Sequence, residues 1–329
     1  MNPEELLHII CDNSLPKRLL VRVDAGSIKG LSFGHLSRCL VLAKALKRIS
    51  QAKIQFVMRD YPDGVEYAIK NGVEVYTIPL SYSCKDHDDC WLKKTSEFQA
   101  DWTFLDLPYP IDFSEICLDL RKQGSKILFI DDARFSCPEV DVYLNSSILS
   151  PQKILKHSLT KFLLGPEYFI FAPKCLVNAV KKESGHKFHI VLSFGGSDPS
   201  GLGFRVIKAI EGYAEKEKMK ATLILGPGFK EMHKGIISIM EQKDQIHVVD
   251  APENIYEIFL SSDLVICAGG RTLYELYMLG ISAFPIASIE HEKPVVKAFL
   301  DRGMAVSGML EWNEHEFLVQ FDRLIKEKT

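Results

Sequence analysis

The feature that most constrains the fold is an alternation of short apolar runs with segments of helix length along the whole chain. The first series has strands at 18–24, 53–58, 73–78, 102–106, 126–131, 142–144 and 162–164. A second series has strands at 188–194, 222–225, 246–249, 264–267, 283–286 and 305–306, with helices between them and a last helix from about Trp312. This alternation predicts parallel sheets with crossover helices.

The length and one polar break predict two domains. A chain of 329 residues is too long for one ordinary core. The segment 172–187, which is polar and punctuated by glycine, has the composition of an interdomain connection. We therefore expect an N-terminal extension over 1–17, packed on the surface as a short helix. A Rossmann-like domain over 18–170 and a second over 171–329 follow, and the last helix could pack back on the first domain. The expected class is α/β, with two Rossmann-like domains facing a ligand-binding cleft.

Composition narrows the classes of partner. A net charge of −3 gives no basic field, so nucleic acid is not expected as a partner. No apolar run reaches the roughly 18 residues of a membrane span, and the acidic N-terminal segment is unlike a signal peptide. Eight cysteines in such a chain favour reduced thiols. We expect a cytoplasmic monomer or homodimer that acts on a small molecule.

One cysteine cluster has the spacing of metal ligands. Cys84, His87 and Cys90 could supply three ligands, but no fourth follows at zinc-finger spacing. A solvated acidic loop is therefore the favoured interpretation, and we expect no metal and no other cofactor.

The first βα loop contains the candidate base. Its glycines, Gly26, Gly30 and Gly34, match neither a dinucleotide fingerprint nor a Walker A loop, but they let an anion approach a helix N-terminus. His35 and Arg38 lie off the apolar stripe of the following helix and share one face. The helix dipole favours a neutral imidazole there, which makes His35 a candidate general base. A histidine hydrogen-bonded near the helix cap is an equally good interpretation of the spacing.

Two glycine-rich turns stand out in the second series. In the first, Asp198 and Pro199 suit a helix start, whereas the paired glycines before them indicate a close approach of the backbone. That turn comprises Gly195, Gly196, Ser197 and Asp198. In the second turn, Gly269 and Gly270 precede Thr272 and Glu275, which have the spacing of a capping box. The same residues could bind phosphate at the helix N-terminus and a ribose diol at Glu275, and spacing does not decide between the two.

A resemblance to a known family adds to these patterns. R-V-D-A (22–25) and G-H-L-S-R-C (34–39) are similar to the N-terminal signature of the UDP-sugar hydrolases of pseudaminic acid biosynthesis. Those enzymes release UDP from a 2,4-diacetamido-2,4,6-trideoxy-altrose nucleotide, and a wider group includes glycosyltransferase-like proteins of spore-coat polysaccharide synthesis. The similarity runs in order from about Leu19 to Gly303, through I-L-F-I-D-D (127–132), D-V-Y-L-N (141–145), L-L-G-P-E-Y (163–168), S-F-G-G-S-D-P (193–199) and G-G-R-T-L-Y-E (269–275).

The resemblance implies a B-type glycosyltransferase fold that works without a metal. It implies that His35 activates water for inverting attack at C1. The expected UDP-binding residues are Gly195, Gly196, Ser197, Asp198, Gly269, Gly270, Thr272 and Glu275. The expected sugar-binding residues are Asp24, Gly34, Arg38, Asp106, Tyr109, Glu290 and His291.

The sequence departs from the family at two places where sugar identity is set. Asp106, Leu107, Pro108 and Tyr109 stand where members commonly have Asp-His-Tyr. Glu290, His291 and Glu292 stand where an Asn-Gln pair is frequent. The leading hypothesis is a UDP-sugar hydrolase. The alternatives are an inverting glycosyltransferase of surface polysaccharide and a nucleotide-sugar binding protein without turnover.

Overall fold

The computed structural model describes residues 2–28, 31, 33–82, 84–107, 112–131, 138–149, 159–171, 187–196, 198, 200–216, 219–226 and 245–328. The chain divides into two compact units, residues 1–173 and 174–329. The predicted helix at 230–242, most of the predicted connection at 172–187, and the predicted site residues Tyr109 and Ser197 lie outside the described residues.

The first unit is built on a parallel sheet. Its described strands have the order β3-β2-β1-β4-β5-β6-β7. They are β1 (Arg18–Val23), β2 (Lys53–Arg59), β3 (Glu74–Ile78), β4 (Trp102–Asp106), β5 (Lys126–Ile130), β6 (Val142–Asn145) and β7 (Lys161–Leu164). The helices are α1 (Pro3–Ile10), α2 (Gly34–Ile49), α3 (Pro62–Lys70), α4 (Cys84–Phe98) and α5 (Ser114–Lys122).

The second unit repeats the design with a sheet of order β10-β9-β8-β11-β12 among its described strands. These are β8 (His189–Ser193), β9 (Lys220–Leu225), β10 (Ile246–Asp250), β11 (Leu264–Cys267) and β12 (Ala283–Pro285). The helices are α6 (Leu202–Lys216), α7 (Ile255–Leu260), α8 (Arg271–Met278), α9 (Lys293–Asp301) and α10 (Glu314–Lys328). Every described pairing in both sheets is parallel, as predicted.

Helices cover both faces of the first sheet. Successive side chains of a strand point to opposite faces, so the buried strands contribute apolar side chains to a core on each side. Leu19 and Val21 of β1 belong to one buried cluster, whereas Leu20 belongs to another that includes Trp91 of α4. The N-terminal helix α1 contributes Leu6 and Leu7, which are completely buried in the first of these clusters. The predicted surface helix is therefore a part of the core.

Four further predictions can be compared with the structure. The predicted loop around Cys84 is wrong, because α4 begins at Cys84; the aspartates that follow suit the first turns of a helix. The predicted strand at 305–306 is also wrong, since Ile286 at the end of β12 pairs with Met309 instead. The last helix buries Phe317 and Phe321 in the core of the second unit. Within the described ranges, no helix combines the length and the apolar character that a membrane span requires.

Candidate functional site

The strand order of the first unit places a topological switch point at the carboxyl ends of β1 and β4. The chain leaves β1 toward β2 on one side and later returns to β4 on the other side. Loops that diverge at such a switch point leave room for a ligand. Asp106 is the last residue of β4, and His35 and Arg38 lie in the first turns of α2, which follows β1. Two parts of the sequence that are 68 residues apart therefore meet here.

Three side chains at this position form one hydrogen-bonded cluster. The Nδ1 atom of His35 lies 2.6 Å from Oδ1 of Asp106. Arg38 donates from Nε to Oδ2 and from Nη2 to Oδ1 of the same carboxylate, each at 2.5 Å. Asp106 is fully buried and Arg38 is 3% exposed, whereas the His35 side chain is 19% exposed. Of the three side chains, that of His35 is therefore the one that solvent reaches most.

The charges of the cluster keep Asp106 ionised. Burial by itself would raise the pKa of Asp106, but the neighbouring Arg38 guanidinium and the His35 ring outweigh burial and hold that pKa well below its usual range. An ionised carboxylate only accepts hydrogen bonds, so it selects the His35 tautomer with the proton on Nδ1. Nη2 of Arg38 lies farther from Nδ1, at 3.1 Å, and can only donate. In the neutral form of the His35 ring, the lone pair is thus on Nε2.

Asp24 has a structural partner on its own strand. Its two carboxylate oxygens receive hydrogen bonds from Nη1 and Nη2 of Arg22 at 2.7 and 2.8 Å, and both residues are fully buried. The backbone N–H of Arg59, at the end of β2, donates to the same carboxylate at 2.6 Å. These contacts tie β1 to β2 beside the switch point and account for Asp24 without a ligand.

The loop between β1 and α2 is held close to α3. A Cβ atom on Gly64 of α3 would lie 1.9 Å from the carbonyl oxygen of Ala25, so only glycine permits this approach. The backbone N–H of Ser27 donates to Asp63 at 2.8 Å. Gly34 is the first residue of α2, and no side chain caps this helix N-terminus among the described residues. This packing therefore fixes the start of α2, the helix that contains His35.

In the second unit, Asp198 caps α6. Its carboxylate accepts hydrogen bonds from the backbone N–H groups of Leu202 and Gly203 at 3.0 and 2.8 Å. This supports the structural interpretation of Asp198. Gly195 has a φ of 79°, which favours glycine, and a Cβ on Gly226 would lie 2.4 Å from the Gly195 carbonyl oxygen. The backbone of the paired glycines thus lies close to Gly226 in another loop, and it is Gly226 that this approach requires to be glycine.

The second glycine turn is organised by Glu292, which is 8% exposed. One oxygen of Glu292 accepts hydrogen bonds from the Gly269 backbone N–H at 3.2 Å and from the N–H and hydroxyl of Ser288, each at 2.8 Å. The Ser288 carbonyl accepts from the Ser200 hydroxyl at 2.5 Å. A Cβ on Gly269 would lie 2.9 Å from the Cβ of Glu292. Glu292 therefore connects the loops that follow β11 and β12, and Ser288 links them to the loop that follows β8.

The predicted capping box at Thr272 and Glu275 is wrong. Helix α8 begins at Arg271 after Gly270, and no side chain caps it among the described residues. Glu275 is 9% exposed and accepts from the Tyr256 hydroxyl at 3.2 Å, and Arg271 lies 3.7 Å away. Burial raises the pKa of Glu275 despite the opposing effects of Arg271 and Tyr256. Thr272 is half-buried in the first turn of α8.

Glu290 and His291 lie in a short turn before α9, and both are exposed. Glu290 pairs with Lys293 at 2.8 Å. Sequence reasoning named Glu292 only as a possible sugar contact, and it did not select Tyr256 or Arg271, whose contacts with Glu275 depend on the packing and start of the helices. In the sequence, the available signal for Glu292 was a charged residue directly before a helix that starts with a proline in its first turn. Within the described residues, no group of three or more His, Cys, Asp or Glu side chains has the arrangement of a metal site.

Two curated proteins are similar to this chain in sequence. An uncharacterized protein of Methanocaldococcus jannaschii is 25% identical over 84% of this chain and 57% of its own length. The spore coat polysaccharide biosynthesis protein SpsG of Bacillus subtilis is 26% identical over 50% of each chain. The chain thus spans about half the length of the curated relatives it matches. No protein-family model matches the sequence.

Solved structures establish the fold class. MurG of Acinetobacter baumannii has a TM-score of 0.62 at 11% identity, covering 94% of this chain and 91% of its own. The UDP-GlcNAc 2-epimerase of Neisseria meningitidis, bound to UDP-GlcNAc, has a TM-score of 0.57 at 11% identity with the same coverage. HepE of Anabaena, in complex with UDP-glucose, has a TM-score of 0.52 at 11% identity, covering 87% and 91%. The chain has the α/β fold of the B-type glycosyltransferases, with two Rossmann-like domains.

Proposed function

We propose that the protein hydrolyses a UDP-activated diacetamido-trideoxy sugar, with inversion at C1, in pseudaminic-type nonulosonic acid biosynthesis. The observation that carries this proposal is the His35–Asp106 pair at the switch point of the first sheet. A neutral imidazole that is oriented by a buried carboxylate is an effective general base. The similarity to SpsG and the folds of proteins solved with UDP-glucose and UDP-GlcNAc support a nucleotide sugar as the substrate class.

In the proposed reaction, Nε2 of His35 accepts a proton from a water molecule. The water oxygen forms a bond to C1 of the sugar, the bond between C1 and the phosphate oxygen breaks, and UDP leaves with that electron pair. Asp106 stabilises the imidazolium that forms, and the proton passes to solvent afterwards. UDP is a good leaving group, so the reaction needs no acid on the opposite side of the sugar.

We assign the diphosphate to the N-terminus of α8. Helix α8 has no side-chain cap among the described residues, whereas the carboxylate of Asp198 already accepts from the first N–H groups of α6. Uncapped N–H groups at a helix N-terminus favour phosphate. Arg271 adds a positive charge at the same end, and Glu275 is the acceptor proposed for the ribose hydroxyls.

The test is UDP release from UDP-2,4-diacetamido-trideoxyhexoses in the absence of an acceptor. We expect release by the wild type and a loss of about 10²- to 10⁴-fold in His35→Asn. His315→Asn is the matched control, because His315 is exposed on α10. UDP binding measured by calorimetry separates loss of the chemical step from loss of binding. A wild type that binds UDP and releases none from any of these sugars would exclude the hydrolase.

An inverting glycosyltransferase is the second candidate. A glycosyltransferase from Rickettsia africae has the same fold, with a TM-score of 0.54 at 12% identity. The name of SpsG also associates that relative with polysaccharide synthesis. In this case the same base would activate an acceptor hydroxyl. UDP release that begins only when a saccharide acceptor is added would favour the transferase over the hydrolase.

A further inference from the structure

Arg38 has a position that binding of the sugar does not explain. Its Nε and Nη2 atoms both donate to Asp106, and the residue is 3% exposed. Nη2 also lies 3.1 Å from Nδ1 of His35. The guanidinium therefore contacts both members of the proposed catalytic pair from inside the protein.

We propose that Arg38 is a positioning residue that opposes protonation of His35, so that its ring can accept a proton from the nucleophile. A buried carboxylate that faced the imidazole alone would favour the imidazolium. Arg38 shares that carboxylate, because Oδ1 of Asp106 receives both the guanidinium and the imidazole. The guanidinium charge next to Nδ1 also disfavours a second positive charge on the ring.

The charged groups near His35 are few among the residues that the structure describes. Among the described residues, the charged groups within hydrogen-bonding distance of its ring are Asp106 of β4 and Arg38 of α2. The thiol of Cys39, on α2, contacts Asp106 at 3.5 Å. On the neighbouring strand β1, Arg22 and Asp24 neutralise each other in a buried pair. Within the described part of the chain, one carboxylate and one guanidinium therefore act directly on the His35 ring.

The test follows the His35 ring by NMR as a function of pH in the wild type, Arg38→Met and Arg38→Lys. The His35 signal is the one that is missing from His35→Asn. Removal of the guanidinium should raise the titration midpoint by about 1 to 2 pH units. Arg38→Lys keeps the charge and should titrate close to the wild type. An unchanged or lowered midpoint in folded Arg38→Met overturns the proposal.

A second pair of variants covers the case in which Arg38→Met does not fold. The double variant Asp106→Asn/Arg38→Met contains neither buried charge, and Asp106→Asn alone retains the guanidinium. The proposal expects a higher midpoint in the double variant than in Asp106→Asn. Equal midpoints in these two proteins would contradict it.

This role deepens the proposed function, but its titration test does not depend on that function. If the wild type hydrolyses UDP-sugars, the acidic limb of the pH–rate profile in Arg38→Met should move to higher pH, and activity should return as the pH rises. A purely structural Arg38 would lower the rate without moving the limb. If the wild type releases no UDP, the proposed function fails, and the His35 titration still decides the role of Arg38.

Discussion

Asp106→Asn is the sharpest perturbation of the candidate site, because it keeps the size of the side chain and removes its charge. An amide has one accepting oxygen and one donating nitrogen. Arg38 only donates, so it should take the oxygen and turn the amide NH₂ toward Nδ1 of His35. Nδ1 must then accept, and the ring proton moves to Nε2. The proposed base would hold a proton at the atom that must receive one.

The expected losses of stability and of rate follow from the two contacts of Asp106 that change, those with Arg38 and with His35. Breaking a buried ion pair costs about 3–5 kcal/mol, and the amide oxygen still accepts from Arg38, so we expect a loss of about 3 kcal/mol of unfolding free energy. The analogous change in a catalytic triad lowers kcat about 10⁴-fold. We expect a loss of about 10³-fold or more here.

The stability difference should depend on pH. The folded-state pKa of Asp106 is depressed by its cationic neighbours, so its stabilising contribution is present above the unfolded-state pKa and is lost as the pH falls. The difference in unfolding free energy between wild type and Asp106→Asn should therefore shrink below about pH 4. Chemical denaturation at several pH values measures it.

Asp141→Asn is the matched control for these assays. Asp141 accepts from the backbone N–H of Ile127 at 2.9 Å, at the amino ends of β5 and β6 and therefore at the opposite edge of the same sheet. Asp141→Asn should lower the free energy of unfolding. The rate of UDP release per folded, UDP-bound enzyme should stay close to that of the wild type. A folded Asp106→Asn protein that releases UDP within about tenfold of the wild-type rate would refute the role of Asp106.

The remaining predictions concern the second unit and the packing of the first. Glu275→Gln should raise the unfolding free energy at pH 7, because a raised folded-state pKa destabilises the protein above the unfolded-state pKa; calorimetry should show weaker UDP binding. Glu292→Ala should cost about 1–3 kcal/mol by removing the shared acceptor of two loops, and should weaken UDP binding more than Glu292→Gln does. Gly64→Ala should cost about 1–3 kcal/mol through its clash with Ala25, whereas Gly212→Ala, in open space on α6, should stabilise by about 0.5–1 kcal/mol. Unchanged stability in Gly64→Ala, or a destabilised Gly212→Ala, would contradict the packing argument.

Sequence periodicity predicted the elements well where the apolar pattern was continuous. The predicted bounds of β4 and β11 coincide with those of the structure. The pattern failed at α4, because its first turns carry no apolar stripe and have the composition of a loop. Periodicity shows which side of an element is buried, but it does not show which other element covers that side.

Sequence periodicity could not predict the contacts of the site, because it does not show which elements lie next to each other. His35 and Asp106 are 71 residues apart, and only the strand order brings them together. Sequence reasoning selected His35, Arg38 and Asp106 individually, but it assigned Arg38 and Asp106 to the sugar. Their mutual hydrogen bonds depend on how β4 lies beside β1, which no local pattern encodes.

The two glycine-rich turns of the second unit are similar in sequence. The acidic side chains that accompany them, Asp198 and Glu275, have different environments in the structure. Asp198 has both carboxylate oxygens on backbone N–H groups of α6, so its burial is compensated. Glu275 is buried without a capping role, and its pKa is raised because its partners do not offset the loss of solvent. A group that destabilises the fold persists where function needs it. This supports the proposed recognition of the nucleotide at α8, and we expect changes at Asp198 to act through the stability of α6.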